Sequence, residues 1–110
     1  MRTEVHSPSV MPELSERQRR HLRGLAHLLK PVIRLGGAGV TPAVVAETRR
    51  ALHDHELIKV KAPGGDRAAR DGLFAALAQA SGSALVHRIG NVAVLYRRRE
   101  AEPRLVIPDP

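Results

Sequence analysis

The chain is organised around Leu35-Gly36-Gly37-Ala38-Gly39-Val40-Thr41-Pro42, a glycine-rich turn between a short apolar run and a predicted helix. Three glycines in four residues remove the Cβ atoms that would hold a ligand away, and they allow positive φ at little cost. Thr41 is a good N-cap and Pro42 a good first helical residue, so unpaired N–H groups and the positive end of a helix dipole should follow the glycines. We therefore predict a phosphate-binding loop, although this spacing alone is equally typical of a plain tight turn.

The composition is that of one small domain with a basic surface. At 110 residues and 43% hydrophobic content, the chain is long enough for a single core. A formal net charge of +7, carried mostly by arginine, favours a polyanionic partner, and the guanidinium fork suits phosphate. The alternative is that the charge only keeps the protein soluble. Phe74 and Tyr96 are the only aromatic residues, which disfavours a surface that binds RNA by stacking bases.

Several classes of function find no support in the sequence. There is no cysteine, hence no disulfide, thiolate nucleophile or cysteine-type zinc site. The first residues lack the apolar core of a signal peptide, and no long apolar run follows. His53-Asp54-His55-Glu56 resembles a metal cluster only superficially and is more typical of a helix C-terminus. We expect a cytoplasmic protein that has no cofactor, bound metal or membrane contact and, lacking a nucleophile beside a base, is not an enzyme.

The first predicted helix extends from a capping box at Ser15 and Gln18 to about Leu29. Its predicted apolar stripe consists of Leu22, Leu25, Ala26 and Leu29. A cationic ridge follows one flank of this stripe and consists of Arg19, Arg20, Arg23 and His27. Because a charged helix surface is usually just solvated, the ridge alone leaves open whether it binds a ligand.

The later elements are predicted in the order strand, helix, strand, helix, strand, strand. The strands are expected at 32–35, 56–62, 84–89 and 92–96, and the helices at 42–54 and 67–80. Gly90-Asn91 joins the last two strands in a two-residue hairpin. This order predicts an α/β fold, a two-layer sandwich with a four-stranded mixed sheet. We assign residues 1–13 to a flexible tail, 14–98 to the domain and 99–110 to an extension, and the sequence leaves open whether Leu105-Val106-Ile107 packs on the domain.

Five blocks of sequence resemble the YhbY-type, or CRM-domain, RNA-binding proteins. They are Leu22-Arg23-Gly24-Leu25-Ala26-His27, Leu29-Lys30-Pro31-Val32, Leu35-Gly36-Gly37-Ala38-Gly39-Val40-Thr41, His55-Glu56-Leu57-Ile58-Lys59-Val60-Lys61 and Ile89-Gly90-Asn91-Val92-Ala93-Val94-Leu95-Tyr96-Arg97. The resemblance covers about residues 14–98. It implies a fold related to the C-terminal domain of translation initiation factor three and a GxxG loop used as in KH domains.

The resemblance also implies a set of RNA-binding residues. The loop that meets the RNA backbone would be Gly36, Gly37, Ala38 and Gly39, to which we add the predicted N-cap Thr41. The basic surface would consist of Arg19, Arg20, Arg23, Lys30 and Arg34, with Lys59 and Lys61 as further members. Free-standing bacterial members of the family are associated with precursors of the large ribosomal subunit.

Two functions of different classes follow from these observations. The first is a monomeric, non-enzymatic RNA-binding protein that assists assembly of the large ribosomal subunit by contacting rRNA or a pre-ribosomal particle. The alternative is a basic adaptor for acidic partners, or a general RNA chaperone for varied transcripts. An adaptor would not require the glycine loop, so substitution of that loop separates the two.

Overall fold

The computed structural model describes residues 13–110, so the predicted flexible tail at 1–13 lies outside the described residues except for Glu13. The elements are α1 (Glu16–Ala26), β1 (Pro31–Arg34), α2 (Pro42–His55), β2 (Leu57–Lys61), α3 (Arg67–Ser81), β3 (Ala84–Ile89) and β4 (Val92–Tyr96). The predicted α/β class, the order of elements and the four-stranded mixed sheet are confirmed. No helix within the described residues is long and apolar enough to cross a membrane.

The strands lie in the order β1-β2-β4-β3. β1 and β2 are parallel, with α2 as the crossover between them, and β4 is antiparallel to both β2 and β3. Arg34 pairs with Lys61, and Lys61 pairs with Val92, so β1 and β2 end where β4 begins. We call this the loop end of the sheet, because the glycine loop and the hairpin turn both lie there.

Helices cover both faces of the sheet, which adds a third layer to the two-layer arrangement expected from the sequence. On one face α2 and α3 pack with the sheet into the larger core, which includes Leu52, Ile58, Val60, Phe74, Leu77 and Leu95. On the other face α1 packs Leu22 and Ala26 against Leu57, Val86, Val94 and Tyr96. Side chains alternate between the two faces along β2, so Leu57 lies on the same face as Lys59 and Lys61. Leu57 is buried on that face because α1 packs over it.

The first helix ends earlier than expected. It stops at Ala26, and the N–H of Leu29 donates to the carbonyl of Ala26 in the turn that follows. Pro31 begins β1 and disfavours helical geometry in the residue before it, so the chain leaves the helix before that point. The predicted apolar stripe is therefore only half correct: Leu22 and Ala26 are buried, whereas Leu25 and Leu29 remain 42% and 39% exposed.

The C-terminal segment packs on the domain, which answers the question that the sequence left open. Leu105 and Ile107 join the cluster around α1, and the Gln18 side chain donates to the Pro108 carbonyl. Its main anchor is Glu56, a fully buried residue with φ of 64° between α2 and β2. The Glu56 carboxylate accepts hydrogen bonds of 2.6 to 2.7 Å from the backbone N–H groups of three residues, which are Arg99, Arg104 and Leu105.

This anchor also shows why the histidine-rich segment before β2 is not a converging ligand set. The side chains of His53, Asp54 and His55 are exposed, whereas Glu56 faces inward and accepts from the C-terminal backbone. Across residues 13–110 there is no group of three His, Asp or Glu side chains placed to hold a metal ion.

Candidate nucleic-acid interface

The glycine loop is a tight turn fixed at both of its ends. The N–H of Leu35 donates to the Lys61 carbonyl at 2.8 Å, and the N–H of Gly39 donates to the Gly36 carbonyl at 3.0 Å. Gly39 has φ of 72°, and a Cβ there would lie 3.3 Å from Cδ2 of Leu73 on α3. The fold itself therefore requires glycine at position 39.

The other two glycines of the loop are different. Gly36, Gly37 and Ala38 are exposed, and neither of these glycines has a positive φ. A Cβ built at Gly36 or Gly37 meets no atom within 4 Å. The described part of the protein thus gives no conformational or packing reason for glycine at either position. What the missing side chains provide is a low, open surface that another backbone can approach closely.

The loop leads directly into the capped end of α2. The Thr41 hydroxyl accepts from the N–H of Val44 at 3.1 Å, as predicted for an N-cap. The N–H of Val45 donates to the Thr41 carbonyl, and Pro42 has no N–H to offer. The first turn of α2 therefore has fewer unpaired N–H groups than the sequence suggested. For the approach of a ligand, the open surface of the glycine loop is thus more important than unpaired backbone N–H groups.

Beside the loop, a basic sheet face is formed by Arg34, Lys59 and Lys61. Strand register places these three side chains on the face of the sheet that carries α1. Helix α1 covers this face at the end opposite the glycine loop and leaves the loop end uncovered. Arg34 and Lys61 are exposed at the loop end, and Nζ of Lys59 donates to the His27 carbonyl at 3.4 Å. The loop and these cations consequently form one continuous surface.

A cleft of about 390 Å³ between α1 and the sheet extends this surface. Arg23, His27, Lys59 and His87 line it together with apolar side chains, of which Ile89 is 68% exposed. The pKa of His87 is lowered, first by burial and then by the charges of Arg23 and Arg88. His87 therefore favours its neutral form, and the cleft combines cationic groups with an apolar floor.

Two of the predicted basic residues are not part of this surface. Arg19 is hydrogen-bonded within the protein, and Lys30 lies elsewhere on the sheet. The guanidinium of Arg19 donates to the carbonyls of Leu85 and Val86, at 2.6 and 3.3 Å, where β3 shifts register. Lys30 lies near the start of β1, at the opposite end of the sheet, beside an apolar groove. Arg20 is exposed on α1. The structure thus places Arg34 and Lys61 beside the loop, and it places Lys59 and Arg23 in the cleft further along the same face.

The apolar part of the cleft was not predicted from the sequence. Val92 and Val94 pair with Lys61 and Lys59, and Ile89 and His87 pair with the same two valines from β3. The alternation on β3 and β4 was visible in the sequence, but it does not reveal which face lacks a covering helix. That information comes only from the position of α1.

Comparison with known proteins supports a family assignment. Residues 14–97 match the profile described as the CRS1 / YhbY (CRM) domain. A Haemophilus influenzae protein named "RNA-binding protein" is 45% identical over 98 residues, which cover 89% of this chain and 98% of the relative. A Bacillus subtilis protein named as a probable RNA-binding protein is 34% identical, with 86% of this chain and 99% of the relative covered.

A solved structure gives the same result. The solution structure of a hypothetical protein from Staphylococcus aureus has a TM-score of 0.76 and 30% sequence identity, and the match covers 87% of this chain and all of that chain. The fold and the sequence therefore point to the same group of proteins, and the chain belongs to the CRS1 / YhbY (CRM) domain family.

Proposed function

We propose that this protein binds RNA, and that the glycine loop and the basic sheet face hold its sugar-phosphate backbone. The observation that carries the proposal is the open surface at Gly36 and Gly37, two glycines that the fold does not require, next to Arg34 and Lys61. Backbone contacts of this kind give affinity with little base readout. The names of the relatives from Haemophilus influenzae and Bacillus subtilis support RNA as the ligand.

The RNA we propose is rRNA of the large ribosomal subunit, bound during assembly in the cytoplasm by a monomer that performs no catalysis. This target rests on the resemblance to family members associated with large-subunit precursors. The alternative remains a basic adaptor or a general RNA chaperone, which the net charge of +7 favours by itself.

Crosslinking in cells, followed by sequencing of the bound RNA, tests the target. We expect large-subunit rRNA precursor to be recovered with the wild-type protein and to be lost with a variant carrying Gly37→Asp and Ala38→Asp. Recovery of scattered transcripts would favour the general chaperone, and recovery of proteins alone would favour the adaptor. Either result would contradict the assignment to large-subunit assembly.

The affinity for single-stranded RNA should depend steeply on salt. If the surface neutralises about six phosphates, the slope of log K against log salt is about −4. Affinity would then fall roughly 300-fold between 50 and 200 mM salt. Fluorescence anisotropy with a labelled oligonucleotide at four or five salt concentrations measures the slope. A slope near zero would show that phosphate contacts do not dominate binding.

Arg19 and Arg20 are neighbours with different expected roles. Arg19→Ala removes the donor to two β3 carbonyls, so the free energy of unfolding should fall by about 1–2 kcal/mol. Arg20→Ala removes an exposed charge, so stability should change by less than about 0.5 kcal/mol. RNA affinity should fall a few-fold with Arg20→Ala. Denaturant unfolding and RNA titration of both variants check this, and equal stability of the two would contradict the structural role of Arg19.

A further inference from the structure

The Arg97-Arg98-Arg99 run after β4 lies at a second basic cavity, which the loop and the basic sheet face do not include. The cavity measures about 430 Å³ and is lined by Arg49, Leu52 and His53 of α2 and by residues 97–101. β4 ends and α2 approaches its last turn here, so the cavity lies at the end of the sheet opposite the glycine loop. It is on the α2 side, whereas the basic sheet face is on the α1 side.

Two of these arginines are held in place by the end of α3. Arg49 donates to the Ala80 carbonyl at 2.9 Å, and Arg97 donates to the Ser81 carbonyl at 3.1 Å. A helix C-terminus leaves its last carbonyls without partners, which explains both contacts. A carbonyl does not neutralise a guanidinium, and each guanidinium has five N–H donors. Arg49 and Arg97 therefore keep their charge and most of their donors.

The remaining arginines complete a site with unmet hydrogen bonds. Nε of Arg99 is buried, and no acceptor for it is found in the described part of the chain. The backbone N–H of Arg99 is fixed by the Glu56 carboxylate, so this position is not free to move away. Arg98 is exposed at the same cavity. Nε of Arg70 and the hydroxyl of Tyr96 are also buried without a partner among the described residues, so the unpaired Nε of Arg99 supports a ligand only together with the grouping of the four arginines.

The balance of charge identifies the class of ligand. Four arginines line the cavity, and Glu100 is the one acidic residue among the lining residues. His53, whose side chain is 75% exposed, adds a further donor at its rim. Guanidinium groups grouped in this way suit a phosphate, which accepts several charge-assisted hydrogen bonds at once.

We propose that this arginine cavity binds a phosphate of the RNA backbone at a second contact site, separate from the glycine loop. The proposal rests on RNA as the ligand of the protein. The cavity and the glycine loop are separated by the length of β2, which is about 15 Å, and the cavity lies on the side of the sheet opposite the basic sheet face. One protein molecule thereby holds two segments of RNA.

Nuclear magnetic resonance titrations test the cavity directly. The probes are the dinucleotide UpU, which carries one phosphodiester, and inorganic phosphate at the same concentration. We expect UpU to shift the amide signals of His53 and residues 97–100 in the wild type, and this shift to be lost with Arg98→Ala plus Arg99→Ala. Shifts with inorganic phosphate but not with UpU would identify a free-phosphate site and overturn the proposal. No shift with either probe would also overturn it.

A longer RNA measures the contribution to affinity. For a 30-nucleotide single strand, Arg98→Ala plus Arg99→Ala should lower affinity about 5- to 10-fold and reduce the magnitude of the salt slope by about 0.7, the value for one phosphate. The matched control is Arg17→Ala plus Arg50→Ala, two exposed arginines outside the cavity, with at most about a three-fold change expected because charges outside the site are screened. An equal loss in the control would mean that only net charge matters and would overturn the proposal. Arg98→Ala alone, at an exposed side chain, gives the same test without risk to folding.

The roles of the glycine loop and of the arginine cavity can be contradicted separately. With the variant carrying Gly37→Asp and Ala38→Asp, UpU should still shift residues 97–100, because the cavity is at the other end of the sheet. If that variant bound long RNA with wild-type affinity, the proposed role of the loop would be contradicted, and the proposed role of the cavity would not. If the cavity shifts were absent but the loop variant lost RNA, only the second site would be overturned.

Discussion

Replacing Gly37 and Ala38 together with aspartate is expected to weaken RNA binding by about 100-fold or more while the protein stays folded. Both positions are exposed, and a Cβ at Gly37 meets no described atom within 4 Å. Two carboxylates placed where phosphates approach should cost several kcal/mol through repulsion, and about 1.4 kcal/mol corresponds to a tenfold loss of affinity. Anisotropy titration at 100 mM salt measures the loss, and thermal unfolding checks the fold.

The control for this variant must change the net charge by the same amount elsewhere. Gly72→Asp plus Ala76→Asp does so on α3, where both positions are exposed and a Cβ at Gly72 meets no neighbour. We expect the control to lose only a few-fold in affinity, since its charges lie on α3 and not at the loop positions that meet the RNA. Equal affinities of the two variants would show that the glycine loop is not part of the binding surface.

Gly39 cannot serve the same test. Its φ of 72° and the 3.3 Å distance from its Cβ position to Leu73 make any substitution there a change to the fold. A loss of binding with Gly39→Asp would therefore not distinguish a lost contact from a displaced loop. The substitutions that inform about RNA are those at Gly36, Gly37 and Ala38.

The glycine loop shows which part of the site was predictable. Spacing, the N-cap at Thr41 and the proline that follows are local signals, and each appears in the structure. The different roles of the three glycines were not predictable from the sequence, because they depend on whether Leu73 of α3 packs against the turn. That contact joins segments far apart in the chain.

The same limit applies to the charged residues. Arg19 looked like a member of the cationic ridge because helical periodicity groups it with Arg20 and Arg23. Its hydrogen bonds to β3 link residues 66 and 67 positions apart. Local periodicity identifies the side of a helix on which a residue lies, whereas the partner on that side depends on the tertiary fold.

Glu56 was read from the sequence as part of a polar segment, and its substitution should have the largest effect on stability. Glu56→Ala removes the acceptor for three partly buried hydrogen bonds from backbone N–H groups. Hydrogen bonds to a charged group contribute about 1.5–3 kcal/mol each, and they are not additive, so we expect a loss of about 3 kcal/mol in the free energy of unfolding. The melting temperature should fall by roughly 12–20 °C, as measured by circular dichroism.

Two further variants separate the causes of that loss. Glu47→Ala removes the same charge from an exposed position on α2 and should change stability by less than about 0.5 kcal/mol. Glu56→Gln keeps the size of the side chain but turns one acceptor into a donor that faces a backbone N–H, so it should destabilise nearly as much as Glu56→Ala. If Glu56→Gln had the same melting temperature as the wild type, the stability contributed by Glu56 would come from the space that its side chain fills and not from its hydrogen bonds.

The carboxylate of Glu56 also connects stability to the second RNA contact. It fixes the backbone of Arg99, which lines the arginine cavity, and it lies near Tyr96, whose pKa is raised by burial and then by the charge of Glu56. Near 5 °C, where Glu56→Ala should still be folded, residues 99–105 should become mobile while the glycine loop keeps its wild-type amide shifts. RNA affinity should then fall to the level of the cavity variant and no further. A loss as large as that of the loop variant would mean that the two ends of the sheet do not act separately.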